Sequence, residues 1–511
     1  MRFAKSDRIS ALVAVVGGAA WGLCFGVESR PWLAWFALAP LFWLLPRRRA
    51  WLWGWLFGTA GWLVATPWIA STVGTFGGLP TWLAQVVGVL FAVYLAADLA
   101  LFALAGGLIV RFRPSWTPWA LPALWVAVET LRGLPFGGFP WNLAAYAWAD
   151  LPGALLLSSW VGAAGVSFLV AAVNVAVTSG VRRRRWRGTL AIWLVAAFAL
   201  SVAARFAGVD GPRMWGKSVR LIQPNTDVVF DPDTAWQDYV ALIDASLGAC
   251  DEPALIVWPE SAAWPLQYFS TARLQDDIAR LVERGCPVIL GSAVKSQDGI
   301  LNAAILVGPD GVGEPYAKRR LVPFGEYVPL GDLLPFIGNL ARQAGDFTPG
   351  TEPTLLQWGS EKLGMAICYE VVFPSPVAEH VRAGATVLTT ITNDAWYGDS
   401  TAPPQHLRAA QFRAAENRRP MLRAALTGIT AVIDAEGRVV ESLGVTTSRQ
   451  APGVIRARVS GRTDTTLYTR APWLVPAVCW ALSLFAIIRA ALDRRRAVPP
   501  TSPQDPAISP G

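Results

Sequence analysis

Histidine is nearly missing from this chain: His380 and His406 are the only two in 511 residues. So small a supply leaves few candidates for a cysteine–histidine catalytic pair. Neither histidine stands at a zinc-site spacing from a cysteine, so no metal or other cofactor is expected. Cysteine is also sparse, with Cys24, Cys250, Cys286, Cys368 and Cys479 and no Cys-x-x-Cys, which removes the common redox and zinc-ribbon motifs. Charged residues make up 16% of the chain, whereas an average soluble protein carries about a quarter. The formal charge of +8 sits in short arginine clusters beside apolar runs. That pattern speaks of membrane topology, and no nucleic-acid partner is expected. No internal repeat is visible.

What the chain has in abundance is apolar sequence. Hydrophobic residues make up 53% and tryptophans number 26, with a mean hydropathy of +0.38. The tryptophans gather near the ends of apolar runs, where amphipathic rings favour the headgroup region. Seven apolar segments lie near 10–27, 31–46, 51–71, 82–110, 117–131, 153–178 and 189–208, and an eighth near 471–492. Several are long enough to cross about 30 Å of hydrocarbon at 1.5 Å per residue. The second and fifth are short. The first, preceded by Lys5 and Arg8, reads as an uncleaved signal anchor because further spans follow.

Basic residues fall into alternate loops. One set holds Arg2, Lys5 and Arg8; Arg47, Arg48 and Arg49; Arg111 and Arg113; Arg182 to Arg185 with Arg187; and Arg489 with Arg494 to Arg496. The other short loops hold Arg30 and Arg132. This asymmetry predicts both termini in the cytoplasm and the long hydrophilic stretch 209–470 outside, in the periplasm of a two-membrane bacterium. The expected organisation is a membrane domain over 1–208, an external domain over 209–470, a closing span with a basic end over 471–496 and a disordered tail over 497–511.

The external stretch reads as α/β. Strand-like runs occur near 219–222, 254–258, 287–290, 303–307, 363–367, 386–391 and 430–433, with helix-like stretches near 234–248, 271–284, 375–383 and 404–418. Near-continuous apolar strands are usually covered on both faces, which predicts a layered sandwich. Cys250 and Cys286 are open between a disulfide and two free thiols.

Cys368 ends one apolar strand and is followed at once by Tyr369 and Glu370. A cysteine at a strand exit is placed like a nucleophile on a sharp turn. A thiol attacks as its thiolate, so it needs a base or a nearby positive charge. With histidine scarce, the candidates are Glu260 in Trp258-Pro259-Glu260-Ser261 as proton acceptor and Lys318 in Tyr316-Ala317-Lys318 as stabiliser of the thiolate and the oxyanion. The backbone N–H of Tyr369 is a natural second oxyanion donor. Taken singly, each has an ordinary explanation, since cysteines after apolar strands are usually core residues and basic runs are usually solvated.

Together and in this order, the three motifs resemble the Glu–Lys–Cys triad of the nitrilase superfamily. With the spans around them, the chain resembles the apolipoprotein N-acyltransferase family. The runs 321–329 and Thr392-Asn393-Asp394-Ala395-Trp396-Tyr397-Gly398 are similar to its signatures, as are Pro404-Gln405-His406 leading to Arg413, Glu416 and Arg419-Pro420, and Gly138-Phe139-Pro140-Trp141. The resemblance implies a multi-span helical membrane domain plus a nitrilase-like αββα sandwich. It implies Glu260 as base, Lys318 as electrostatic stabiliser and Cys368 as acylated nucleophile, with Glu326, Tyr369, Glu370 and Asn302 supporting them. The implied reaction moves a fatty acyl group from a membrane phospholipid, through a thioester, to the α-amine of a diacylated apolipoprotein. The family's tryptophan after Gln223-Pro224-Asn225 has no fixed counterpart, with Phe230 and Trp236 both near. The apolar stretch 333–340 is read either as a loop that dips into lipid or covers the site, or as core. His406 is assigned no catalytic step. Two rivals are a membrane-tethered hydrolase and a transporter with an inactive domain; the second would use Asp98, Glu129 and Arg132, the last two three apart on one helix face.

Overall fold

In the computed structural model, residues 5–134, 138–183, 216–226, 231–328, 347–444 and 451–497 are described, with isolated helical positions between 188 and 202. The stretch 333–340, Phe230 and the tail beyond Ala497 lie outside the described residues, and the run 189–208 lies mostly outside them.

The first part is helical: α1 (Lys5–Leu23), α2 (Ala39–Leu44), α3 (Ala50–Ala65), α4 (Trp68–Phe76), α5 (Thr81–Leu95), α6 (Ala97–Phe112), α7 (Thr117–Arg132) and α8 (Pro152–Arg183). Among the described residues, three helical stretches are long and apolar enough to cross a membrane: 81–112, 153–180 and 474–497. A fourth arises if α3 and α4, bent by 60° at Thr66-Pro67, form one span. The second apolar segment is a 3-10 turn followed by the six-residue α2, too short to cross alone. Leu90, Leu104, Leu484, Phe485 and Ile488 stand exposed on these helices. A belt of that kind calls for lipid. Arg132 does not turn to Glu129 as their spacing suggested. It pairs with Asp98 at 2.8 Å, while Glu129 accepts the N–H of Ala144 at 2.7 Å. Arg132 also donates to Phe139 O and Trp141 O, so these charges hold the loop before residue 144.

The second part is a four-layer sandwich. One sheet runs β13-β1-β2-β3-β4-β5, with β6 also on β4; the other runs β12-β11-β10-β9-β8-β7. The strands are β1 (Lys217–Gln223), β2 (Leu255–Val257), β3 (Val288–Ser296), β4 (Gly299–Gly308), β5 (Gly311–Val312), β6 (Tyr316–Ala317), β7 (Leu355–Trp358), β8 (Glu361–Ile367), β9 (Val387–Thr392), β10 (Met421–Ala425), β11 (Thr430–Ile433), β12 (Val439–Leu443) and β13 (Gly453–Val459). The inner strands β1–β3 and β8–β10 run parallel. Val219, Leu221, Val257 and Ile289 of the first sheet share a core with Leu363, Met365, Ile367 and Leu422 of the second.

Helices α9 (Pro232–Ala249) and α10 (Ala272–Glu283) cover the first sheet, and α11 (Pro374–Arg382) and α12 (Ala402–Asn417) the second. Helix α9 starts cleanly because Asp231 accepts the N–H of Thr234 at 3.0 Å and Pro232 sits at the first position. Helix α12 is buried along nearly its whole length, polar residues included. Sheet lies on one side of it and membrane helices on the other: one continuous core holds Ala410, Phe412 and Val377 together with Trp21, Trp148 and Val166. After α13 (Leu467–Arg470), helix α14 (Leu474–Ala497) returns beside α7 and α6. Cys250 and Cys286 form a disulfide between the C-terminal end of α9 and the approach to β3.

Candidate active site

The site grows from strand ends. Strand β8 stops at Ile367, and Cys368 turns with φ +53°, in the left-handed region that side chains other than glycine avoid. Such strain persists only where surrounding contacts over-determine it, and it concentrates at functional positions. Glu370 supplies several of those contacts. Its carboxylate accepts from Ile367 N (2.7 Å), Arg319 N (2.6 Å), Arg320 N (3.1 Å) and the Tyr316 hydroxyl (3.0 Å). One side chain therefore ties the Cys368 turn to the segment that follows Lys318. Burial raises its carboxyl above the usual range, opposed by the N–H groups of Ile367 and Arg319.

Lys318 follows β6 and is 1% exposed. Its ammonium lies 3.2 Å from Glu260 Oε1 and 2.8 Å from Glu326 Oε1. Asn302, on β4, donates from Nδ2 to the same two oxygens at 2.8 Å each. The remaining carboxylate oxygens are also used: Asn393 N donates to Glu260 Oε2 (3.1 Å) and Val322 N to Glu326 Oε2 (2.8 Å). Burial alone would lower the Lys318 pKa, but Glu260 and Glu326 outweigh it and hold the ammonium well above the lysine range.

This setting favours the thiol over the thiolate. Burial pushes the Cys368 thiol well up, and the charges of Glu260 and Asp394 push the same way; Lys318 and a hydrogen bond with Thr392 oppose them without cancelling them. Any reaction that uses this sulfur as a thiolate therefore needs a proton acceptor beside it.

The helical part packs against the Cys368 turn. The Tyr369 hydroxyl donates to Gly138 O at 2.8 Å, and its ring stacks on Trp141 and Phe139 with centroids 6.2 and 6.5 Å away. Gly138 sits at φ +82°, where a Cβ would fall 2.1 Å from Gly133 O, so only glycine fits. Trp141 Nε1 donates to Gln405 Oε1 at 2.7 Å, and Gln405 Nε2 reaches Phe25 O and Ala65 O at 2.8 and 2.7 Å. Near the site's edge, Trp396 packs edge-on to Phe76 (4.5 Å) and Tyr397 to Trp68 (4.9 Å).

All seven sequence-predicted site residues therefore meet in one region: Glu260, Lys318, Glu326 and Asn302 in one hydrogen-bonded cluster, and Cys368, Tyr369 and Glu370 on the turn beside it. Trp236 is half-exposed on α9 and stacks on Tyr239 at 5.5 Å, in the layer outside the first sheet. Sequence reasoning missed the Tyr316 hydroxyl on Glu370, although it quoted Tyr316 inside the lysine motif. It also missed the buried group of Asp394, His406 and Arg423 behind Cys368. The scarcity of histidine was itself a signal for His406.

Residues 17–176 match the family model described as "Apolipoprotein N-acyltransferase N-terminal domain", and residues 218–466 match "Carbon-nitrogen hydrolase". The chain is similar to the apolipoprotein N-acyltransferase of Geobacter metallireducens, 36% identical over 84% of this chain and 86% of that one. It is also similar to that of Shewanella oneidensis, 31% identical over 95% and 97%. Among solved structures, a variant of the amidase from Nesterenkonia AN1, of the nitrilase superfamily, covers 53% of this chain and 100% of its own at 21% identity and a TM-score of 0.39.

Proposed function

The chain belongs to the apolipoprotein N-acyltransferase family, and on that premise we propose that it transfers a fatty acyl group from a membrane phospholipid to the α-amine of an N-terminal diacylglyceryl-cysteine on an apolipoprotein. In the first half-reaction Cys368 Sγ attacks the ester carbonyl carbon while Glu260 takes the thiol proton. The oxyanion is met by Lys318 and the Tyr369 N–H. Collapse expels the lysophospholipid alkoxide, which takes that proton, and leaves a thioester. In the second, the α-amine attacks the thioester carbon, Glu260 accepts an amine proton, and the departing thiolate is reprotonated as the amide forms. One covalent intermediate shared by two substrates gives ping-pong kinetics.

The observation that carries this reading is the Lys318 ammonium lying between the Glu260 and Glu326 carboxylates, beside a cysteine held in a left-handed turn. The seam with the membrane helices explains the substrate class. Acyl chains leave a bilayer at about 0.8 kcal/mol per CH₂, so the thiol has to work at the lipid surface. Glu326, Asn302 and Glu370 position the reacting groups.

We assign residues 1–208 to the membrane domain, 209–470 to a periplasmic catalytic domain and 471–496 to the closing span, in the inner membrane with both termini cytoplasmic. The arginine asymmetry supports this orientation. So does the Cys250–Cys286 disulfide, a feature of oxidising compartments.

The test is intact-mass analysis after incubation with phospholipid micelles. An acyl adduct on Cys368, absent in Glu260→Gln, is the expected result. Adding a diacylated lipopeptide then separates the readings: an N-acylated peptide supports transfer, whereas release of free fatty acid alone would establish a hydrolase.

A further inference from the structure

Cys368 needs more than Glu370 to keep its backbone in the left-handed region. Glu370 grips the chain before the turn, at Ile367 N. The Cys368 carbonyl is gripped from behind by His406, whose Nε2 lies 3.1 Å away. A carbonyl oxygen only accepts, so Nε2 carries the proton. The other ring nitrogen, Nδ1, lies 3.3 Å from Arg423 Nη2 and 3.1 Å from Asp394 Oδ1. Burial and the Arg423 guanidinium hold the imidazole below its usual pKa, against Asp394. Nδ1 is thus held between the Arg423 guanidinium and the Asp394 carboxylate. The support is rigid: Arg423 also donates to Asp394 Oδ2 at 2.5 Å and to Ile429 O at 3.0 Å, and Thr392 Oγ1 donates to Asp394 Oδ1 at 2.9 Å. His406, Asp394 and Arg423 are all 0% exposed.

The carbonyl that His406 holds belongs to the same peptide unit as the Tyr369 N–H. A trans peptide is planar, and its C=O and N–H point in opposite directions. A donor fixed on the Cys368 oxygen therefore fixes the direction of the Tyr369 N–H. It also polarises that amide, because hydrogen bonds in a chain strengthen one another. We propose that His406 is a positioning residue that aims the Tyr369 N–H at the oxyanion formed during acylation of Cys368, acting through the 368–369 peptide plane and touching neither substrate nor sulfur. The proposal rests on the acyl-thioester reading above.

Two reactions of the same sulfur test it. Acylation by phospholipid builds an oxyanion. Thiolation by methyl methanethiosulfonate, which has no carbonyl, builds none. The full-length enzyme in detergent is compared as wild type, His406→Ala and His406→Gln, with both rates read as adducts by intact mass and folding checked by thermal unfolding. His406→Ala should slow acylation ten- to a hundredfold, below the effect of deleting an oxyanion donor outright. Thiolation should stay within threefold. His406→Gln, whose amide restores an N–H near the Cys368 oxygen, should recover at least part of the acylation rate. Equal slowing of both reactions in the two variants would mean that His406 merely holds the fold or the sulfur, and unchanged acylation would mean that the peptide needs no clamp; either overturns the proposal. If wild type itself forms no acyl adduct on Cys368 yet is thiolated there, the thioester reading has failed instead.

Discussion

Two clusters of buried charge invite comparison. In one, Lys318 serves two carboxylates, Glu260 and Glu326, with a thiol as neighbour. In the other, Arg413 serves one, Glu416, at 2.7 Å on α12. The first carries surplus negative charge and lies against strained backbone. The second is balanced, and Glu416 also accepts the N–H of Ala163 at 2.7 Å, just past Gly162. That glycine breaks α8 at φ +68°, where a Cβ would fall 2.7 Å from the Tyr468 ring. Both clusters are buried and both cost desolvation energy. The difference is where the charge sits: one cluster lies beside the Cys368 turn, where we propose that it prepares a proton transfer, and the other joins the sandwich to helix α8.

Breaking each should therefore have a different signature. Cys368→Ala should abolish the acyl adduct, and Glu260→Gln should slow its formation by at least about 10⁴-fold, as expected for members of one catalytic unit. Thermal unfolding should barely move in either. Arg413→Met does the reverse. Stranding Glu416 should cost about 3–5 kcal/mol in stability, seen as a lower unfolding midpoint, while the acylation rate per folded molecule stays within about threefold.

A third buried group sharpens the contrast by having no strong counter-charge. Burial, aided by Arg319, lowers the His380 pKa to about 4, against Glu379 and a hydrogen bond at Pro353. Its unfolded value is about 6.5, so the unfolded chain takes up a proton first as pH falls. Stability from the neutral ring is complete above pH 6.5 and declines towards pH 4, by at most about 3 kcal/mol. Unfolding midpoints at pH 7 and pH 4.5 should differ less in His380→Leu than in wild type. The smallest effect belongs to Glu370→Gln. Its amide nitrogen would face N–H donors where an oxygen now accepts, and the loosened turn should lower acylation about a hundredfold with little change in stability.

The sandwich was legible where strands are apolar and enclosed. The runs at 219–222, 363–367 and 386–391 fall inside or within one residue of β1, β8 and β9, and all four predicted helices match α9 to α12 closely. What stayed hidden has physical reasons. Strand β10 carries Arg423, which reads as a solvated residue until Asp394 is seen beside it. Strands β7, β12 and β13 are short or half-exposed, so apolar continuity does not mark them. That the candidate site residues would meet was legible because their motifs are local and distinctive. The burial of the sulfur was not, because it depends on chain segments far from position 368. The pairing of Arg132 with Asp98 was missed for the same reason: helix periodicity shows neighbours on one helix and nothing about the next.

Helix α12 has no face for water. Ala409 and Phe412 on it, with Val372 and Phe373 nearby, belong to the core shared with the membrane helices, and the Tyr369 hydroxyl has its acceptor at Gly138. Excising 209–470 as a secreted fragment would bare that apolar surface and take away the acceptor. The catalytic half is thus no passenger on an anchor: the lipid-embedded helices complete its wall, and evolution could not shed them and keep a soluble enzyme without rebuilding that side.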